Sequence, residues 1–440
     1  MKIKIHRPAQ IGGCITEIAT ATSRIIIDLG HNLPSAGDEP DNFDNADIIR
    51  CLTKDCDAIF YTHYHGDHVD LFHHVPDNIP QWMGSYAKKI MKVKYETLRM
   101  ADKVEKIDKF NVFRAAQRIL IHDDMVVTPF FVSHSAYDSY MFLIEAEGRR
   151  ILHTGDFRSH GFLSSGLTKI LPLIGHIDVL IIEGTMLNRP DGDTKSMWDI
   201  CEDMKRVMAT HKYVFAMCSS TDADTLAALQ AANMSFNKHI SLPEIENESN
   251  TEWLHRMSQH ANEGKRMFVC DEYQKRIFGV LMTAVLRPKG APSLYNMCHP
   301  STYIFSHELL PQMQQKGFCM LVRAGHFNIV KRLMQHFDSS QTAFIYSLWD
   351  GYLDKTKPYY KKEYENMWSL FTQREIIHTS GHADKQTLAM VCNTLVPRLA
   401  IIPIHRELTS DFASLPLKDE LKDRIVTANK TVYNIQMVFD

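Results

Sequence analysis

Over roughly its first 190 residues the chain alternates short apolar runs with turn-forming residues, which predicts strands joined by short loops. Met1-Lys2-Ile3-Lys4-Ile5-His6 alternates with the period of a strand. Ile25-Ile26-Ile27 runs into Asp28-Leu29-Gly30, and Ala58-Ile59-Phe60-Tyr61 runs into Thr62 and a group of histidines. Arg118 to Val132 gives two apolar segments split by Asp123-Asp124. Met141-Phe142-Leu143-Ile144 and Ile151-Leu152-His153-Thr154 flank Glu147-Gly148, the signature of a hairpin. Val179-Leu180-Ile181-Ile182 is a further buried strand, ending at Glu183.

From about Arg189 the rhythm changes. Val214 to Met217 precedes a helical pattern over Asp222–Ala232, Thr302 to Phe305 leads to Leu309–Gln315, and Phe318 to Val322 leads to Asn328–Phe337 and then to Ala343–Tyr346. Strand alternating with helix implies a parallel sheet covered by helices. Residues 244 to 300 resist assignment and read as a mobile segment. Glu375 to His378 and Leu399 to Ile404 resume the style of the first half. The middle block therefore reads as an insertion. The expected organisation is residues 1–188 as the first part of one domain, 189–372 as an inserted domain, and 373–440 as the return segment.

Composition narrows the class. A chain of 440 residues exceeds one comfortable core, which agrees with two domains. With 45% apolar and 23% charged residues the composition is that of a soluble globular protein. No uninterrupted apolar stretch is long enough for a membrane span, and the N-terminus lacks an apolar signal core. The nine cysteines are scattered, which reads as reduced thiols and a cytoplasmic location. A net charge of −3 argues against a broad basic surface, though not against a local basic groove. Lys88, Lys89, Lys92 and Lys94 read as the solvated face of a helix.

The chemistry concentrates in Thr62-His63-Tyr64-His65-Gly66-Asp67-His68. Imidazoles and carboxylates are the ligands that borderline divalent metals prefer. His63, His65, Asp67 and His68 cannot all face one ion from a single short loop, so two metals are implied. Random order predicts on the order of 0.01 copies of such a pattern. Asp28, His134, Asp156 and His405 each close an apolar run, where active-site groups usually stand. Singly, each is more often an ordinary turn residue. As an ordered series around the His63–His68 cluster they form a set.

That series resembles the metallo-β-lactamase fold. Ile181-Ile182-Glu183-Gly184-Thr185, Thr379-Ser380-Gly381-His382 and Ile402-Pro403-Ile404-His405 resemble the three further motifs of its β-CASP subfamily, with the Ser-Gly-His-Ala and Ile-Pro-Ile-His-Arg-Glu segments similar to ribonuclease J-like nucleases. Phe344 to Tyr352 is similar to that group's inserted domain. The resemblance implies an α/β protein: an αββα sandwich with an inserted parallel-sheet domain. It implies that His63, His65 and His134 hold one zinc ion, that Asp67, His68 and His405 hold a second, and that Asp156 bridges them. Manganese is the alternative metal. Asp28 would orient a ligand or the bridging solvent. The implied reaction is hydrolysis of RNA, or of single-stranded DNA, with a metal-bridging hydroxide as nucleophile.

His382 would bind phosphate or protonate the leaving oxygen, with Glu183 in support and Ser380 and Gly381 admitting a phosphate; the bland alternative is a helix N-cap. Ser219 and Ser220, in Cys218-Ser219-Ser220-Thr221-Asp222, resemble a phosphate-contacting turn but equally suit an ordinary N-cap. His73 and His74 read as loop residues outside the ligand set. Two departures stand out. Arg406 follows His405 where the family usually has Gly, placing a cation that contacts phosphate or narrows a channel. The sequence ends at Asp440, soon after the apolar strand Val432 to Phe439, where such nucleases carry a further domain. The expected partner is RNA or single-stranded nucleic acid, with no membrane and with a homodimer left open. Two other readings remain: a small-molecule hydrolase on the same fold, and a scaffold that binds RNA without cutting it.

Overall fold

The computed structural model describes residues 1–33, 45–190, 192, 194–234, 266–283, 302–426 and 434–438. Most of the segment 244–300 lies outside these residues; within it, strand Arg266–Val269 and helix Glu272–Thr283 are described. The chain divides into two compact units, residues 1–193 with 381–440, and residues 194–380.

The first unit contains two sheets. One runs in the order Asn434–Val438, Lys2–His6, Ile15–Ala19, Arg24–Ile27, Ala58–Phe60, Gln81–Gly84, Asn111–Phe113. The other runs Ala400–Ile404, Val179–Glu183, Arg149–His153, Ser139–Ala146, Met125–Val132, Ile119–Ile121. The hairpin at Glu147-Gly148 forms with both residues in the left-handed region, φ 49° and 70°, which matches the twist of its strands.

Alternate side chains set the layers. Ile3, Ile5, Ile25, Ile27 and Phe60 of the first sheet meet Val127, Phe142, Ile144, Ile151, Ile181 and Ile402 of the second in one core. The intervening residues Leu143, Leu152, Leu180, Ile182 and Ile401 face the other way. They pack with Leu171 and Ile174 of helix Leu167–Ile174 and with Leu388, Val391 and Leu395 of helix Lys385–Leu395. On the outer side of the first sheet Tyr61 stacks on Phe110, which meets Phe72, which meets Tyr95 of helix Ser85–Thr97. The layers are thus helix, sheet, sheet, helix. Both faces of Val179–Glu183 are covered, which is why that strand reads as an unbroken apolar run. Each such aliphatic side chain contributes about 1.5–3 kcal/mol when fully buried.

Within each sheet one end of the order is parallel. Arg24–Ile27 pairs in parallel with Ala58–Phe60, and Arg149–His153, Val179–Glu183 and Ala400–Ile404 run parallel in the registers His153↔Ile181 and Glu183↔Ile404. Asp28, Thr62-His63, Asp156 and His405 follow directly at the carboxyl ends of these strands, the usual place for a site in such sheets.

The second unit is a six-stranded, all-parallel sheet in the order Thr302–Ile304, Arg266–Val269, Phe318–Val322, Tyr213–Cys218, Thr342–Ser347, Gln373–Ile376. Phe215, Met217, Phe318, Met320, Phe344 and Phe371 build its core. Gln373–Ile376 corrects a sequence expectation. The return segment is expected to begin at Gln373, but this strand pairs with Thr342–Ser347 as the edge strand of this sheet. A run with period two announces a half-buried strand without announcing which sheet receives it.

Candidate metal centre

Asp156 is the hub of the site. Its Oδ2 lies 3.2 Å from His68 Nε2, 3.6 Å from His382 Nδ1, 3.8 Å from His63 Nε2, 3.9 Å from His134 Nε2 and 3.9 Å from His405 Nε2. The ligand atoms of His63, His65 and His134 lie within 4.8 Å of one another; so do those of His63, His68 and Asp156, those of Asp156, Glu183, His382 and His405, and those of Cys14, His68 and His405. Asp67 Oδ2 lies 3.2 Å from His405 Nε2 and 4.0 Å from His68 Nε2. All of these residues belong to the first unit.

Four of the imidazoles are held by Nδ1 so that Nε2 is left over for the cage. His68 Nδ1 donates to Asp28 Oδ2 at 2.8 Å. Thr62 Oγ1 donates to the same oxygen at 2.8 Å and lies 3.0 Å from His63 Nδ1. His134 Nδ1 donates to the Gly381 carbonyl at 2.6 Å, and His405 Nδ1 lies 2.7 Å from Thr185 Oγ1. Such outer partners fix the tautomer and raise the basicity of the remaining nitrogen. His65 differs, with Nδ1 itself 3.3 Å from His134 Nε2. Asp28 and His405 both take left-handed backbone, φ 61° and 48°, uncommon for residues with a side chain. At Asp28 the conformation is held by its carboxylate, whose Oδ1 also accepts Thr62 N at 2.7 Å.

Asp28, Asp156 and Glu183 are buried carboxylates, and they demand positive charge nearby. Burial disfavours the ionised form of Asp156, yet His405 and His68 outweigh it and hold its carboxyl well below the usual range. Burial drives His63 and His134 well below their ordinary value and His65 to about 4, so all three stay neutral at pH 7, the form that binds metal. For His405 and His382 burial is outweighed, by Asp156 with Asp67 and by Glu183 with Asp156, and both rise to about 9. The carboxylates thus draw cationic charge into the same small volume that holds the imidazoles. His63 Nε2, His68 Nε2 and Asp156 Oδ1 are buried with no hydrogen-bond partner. Orphaned nitrogens of His63 and His68 beside an orphaned carboxylate oxygen, within a cluster of five histidines around Asp156, fit divalent metal.

Glu183 Oε2 lies 3.0 Å from His382 Nδ1, and its Oε1 accepts Phe157 N and Ala383 N at 3.0 and 3.3 Å. Glu183 therefore ties the loop that carries Asp156 to the segment that carries His382. Helix Lys385–Leu395 takes Asp384 as its N-cap, which frees His382 from that role. Gly381 sits where a Cβ would meet Ser135 Oγ at 2.5 Å, so the carbonyl that accepts from His134 requires glycine. Ser380, Ser219 and Ser220 lie in the second unit. There Ser219 and Ser220 line a cavity of about 750 Å³ with Arg323, His326, Tyr352 and Tyr364. His73 and His74 stack on a short 3-10 turn and belong to none of the ligand groups among the described residues.

Arg406 overturns its expected role. It is 1% exposed, and Nη1 donates to the carbonyls of Glu407 and Ser410 at 3.2 and 3.1 Å. A guanidinium spent on its own loop neither reaches phosphate nor narrows a channel; it braces the backbone beyond His405. Sequence reasoning quoted Thr62 and Thr185 within its motifs without giving them a role, and missed Cys14. Thr62 and Thr185 adjoin residues already singled out, whereas Cys14 carries only a preceding Gly12-Gly13 pair as a signal.

Residues 34–232 match the family model described as a beta-lactamase superfamily domain. No curated protein matches the chain. Among solved structures the chain is similar to a crystal structure of a protein of unknown function from Enterococcus faecalis V583, at 16% identity and a TM-score of 0.67, over 100% of this chain and 99% of that one. That likeness is one of fold. The match to a beta-lactamase superfamily domain and the His/Asp cluster together point to a metal-dependent hydrolase. Among the described residues no helix is long and apolar enough to cross a membrane.

Proposed function

We propose that this protein is a two-metal phosphodiesterase of the β-CASP type that hydrolyses RNA or single-stranded DNA. The observation that carries the reading is the convergence of five histidines on Asp156 Oδ2. In this reading His63, His65 and His134 would hold one ion, Asp67, His68 and His405 would hold the other, and Asp156 would serve both. Held there, a pair of borderline divalent ions would supply Lewis acidity and a water acidic enough to attack at neutral pH. Zinc suits this histidine-rich set better than manganese.

The chain's own residues do the rest. Asp28 and Thr62 keep His63 and His68 in the tautomer with Nε2 inward. In this reading His382, oriented by Glu183, is the group that gives a proton to the leaving oxygen. A poor leaving group such as a ribose hydroxyl needs that proton, which favours a nucleic-acid substrate over an activated ester. The parallel-sheet unit agrees with that choice, since its Ser219-Ser220 turn offers donors to a phosphate backbone, with Tyr352 and Tyr364 for stacking, while Arg323 is paired with Asp271. Eight free thiols among the described residues favour a reducing, cytoplasmic setting.

The test is incubation of metal-loaded protein with end-labelled RNA and DNA oligomers bearing 5′-phosphate or 5′-hydroxyl ends, beside Asp67→Ala. Product ladders that vanish in Asp67→Ala support the proposal. Inertness on every oligomer together with turnover of small esters assigns the centre to a small-molecule hydrolase.

A further inference from the structure

One buried sulfur stands against this centre without a place in the ligand set above. Cys14 precedes strand Ile15–Ala19, nearly fifty residues before the histidine cluster, and is 7% exposed. Its sulfur lies within 4.8 Å of a ring nitrogen of His68 and of His405, and those two nitrogens lie within the same distance of each other. With the Nδ1 of His68 committed to Asp28 and that of His405 to Thr185, the nitrogens left to meet Cys14 are the two Nε2 atoms. His68 Nε2 is buried with no hydrogen-bond partner.

The placement of Cys14 is fixed by backbone. Its N–H donates to the Asp67 carbonyl at 2.9 Å, and its carbonyl accepts from Gly30 N at 3.0 Å. Gly12 and Gly13 enter the turn with φ 86° and 67°, a conformation that costs glycine nothing. Gly30 packs so closely that a Cβ there would lie 1.6 Å from the Asp67 carbonyl oxygen. Three chain segments are therefore clamped together, and the clamp holds the sulfur beside His68 and His405. A small apolar filler would not require this convergence on orphaned nitrogen.

We infer that Cys14 is a thiolate ligand of the metal ion held by Asp67, His68 and His405. The inference rests on the metal-centre reading and adds a fifth donor, beside the shared Asp156, to that ion. On binding, the S–H bond breaks, its proton passes to solvent, and a sulfur–metal bond forms, so loading releases one proton from Cys14. Two imidazoles, two carboxylates and one thiolate suit zinc or cobalt and disfavour manganese and magnesium, which prefer all-oxygen surroundings. The position is thereby made selective for a softer metal.

Cobalt(II) titration of the metal-free, full-length protein tests this. The expected result is binding of two cobalt ions per chain, with a sulfur-to-cobalt charge-transfer band in the near ultraviolet. That band is lost in Cys14→Ser, which also yields one metal to a chelator more readily, and is kept in Cys51→Ser, whose thiol is exposed. Binding of two cobalt ions without the band, or a band that survives in Cys14→Ser, overturns the Cys14 assignment and leaves the metal centre standing. Failure of the unaltered protein to hold cobalt or zinc overturns the metal centre and the Cys14 ligand together. A second measurement needs no variant: zinc-edge X-ray absorption of the zinc-loaded protein should show a sulfur neighbour at about 2.3 Å. A shell of nitrogen and oxygen alone would overturn the inference.

Discussion

The Asp28 carboxylate accepts from His68 Nδ1 at 2.8 Å, and His68 Nε2 in turn lies 3.2 Å from Asp156 Oδ2. A residue at the end of one strand thereby decides which edge of an imidazole, 40 positions later, faces the cage. Asp28→Asn should keep the left-handed backbone, which Asn tolerates, while replacing a charged acceptor with a weaker one. Loss of such a partner typically costs about 10–100-fold in metal affinity. Chelator competition on the two proteins reads this directly, and unchanged affinity would show that the Asp28 contact does not tune the ligand.

Metal content is the plainest expectation. Protein purified without chelator should contain close to two divalent metals per chain. Because a metal that binds only the folded state stabilises it, prolonged EDTA treatment should lower the melting temperature and added zinc should restore it. One metal or none after reconstitution, with a melting temperature indifferent to EDTA, refutes the pair.

His382 separates leaving-group chemistry from metal binding. His382→Ala should retain both metals and lose about 10²–10⁴ in rate on RNA. The loss should be smaller on a nitrophenyl diester, whose leaving group needs no proton. Equal losses on both substrates would reassign His382 to phosphate binding.

Stability at acid pH should depend on Glu17. Burial alone would raise its pKa, but hydrogen bonds from His6, at 2.6 Å, and from Arg24 lower it from 4.5 to about 2. A carboxylate depressed in the folded state adds stability that is present above its unfolded value and is lost as pH falls through the folded one. The difference in unfolding free energy between the unaltered protein and Glu17→Gln should therefore be positive near neutral pH and shrink between about pH 4.5 and 2. Denaturant titrations across that range check it; a difference independent of pH removes Glu17 from the acid transition.

The sequence alone determined what is local. The runs at Ile25–Ile27, Met141–Ile144, Ile151–His153 and Val179–Ile182 are strands because hydrophobic period and flanking turn residues act over a few positions. The grouping of His63, His65, Asp67 and His68 was equally legible, since one loop holds all four. Tertiary structure decided everything that depends on which strand lies beside which. It sent Gln373–Ile376 to the parallel sheet of the second unit, a choice its alternation does not encode. It folded Arg406 into its own loop, where its guanidinium is shut away from any ligand. It brought Thr185 to His405 across 220 positions, and Cys14 to both His68 and His405. Such contacts arise from strand pairing and close backbone packing at Gly12, Gly13 and Gly30, which fix distances between residues whose sequence separation carries no sign of them.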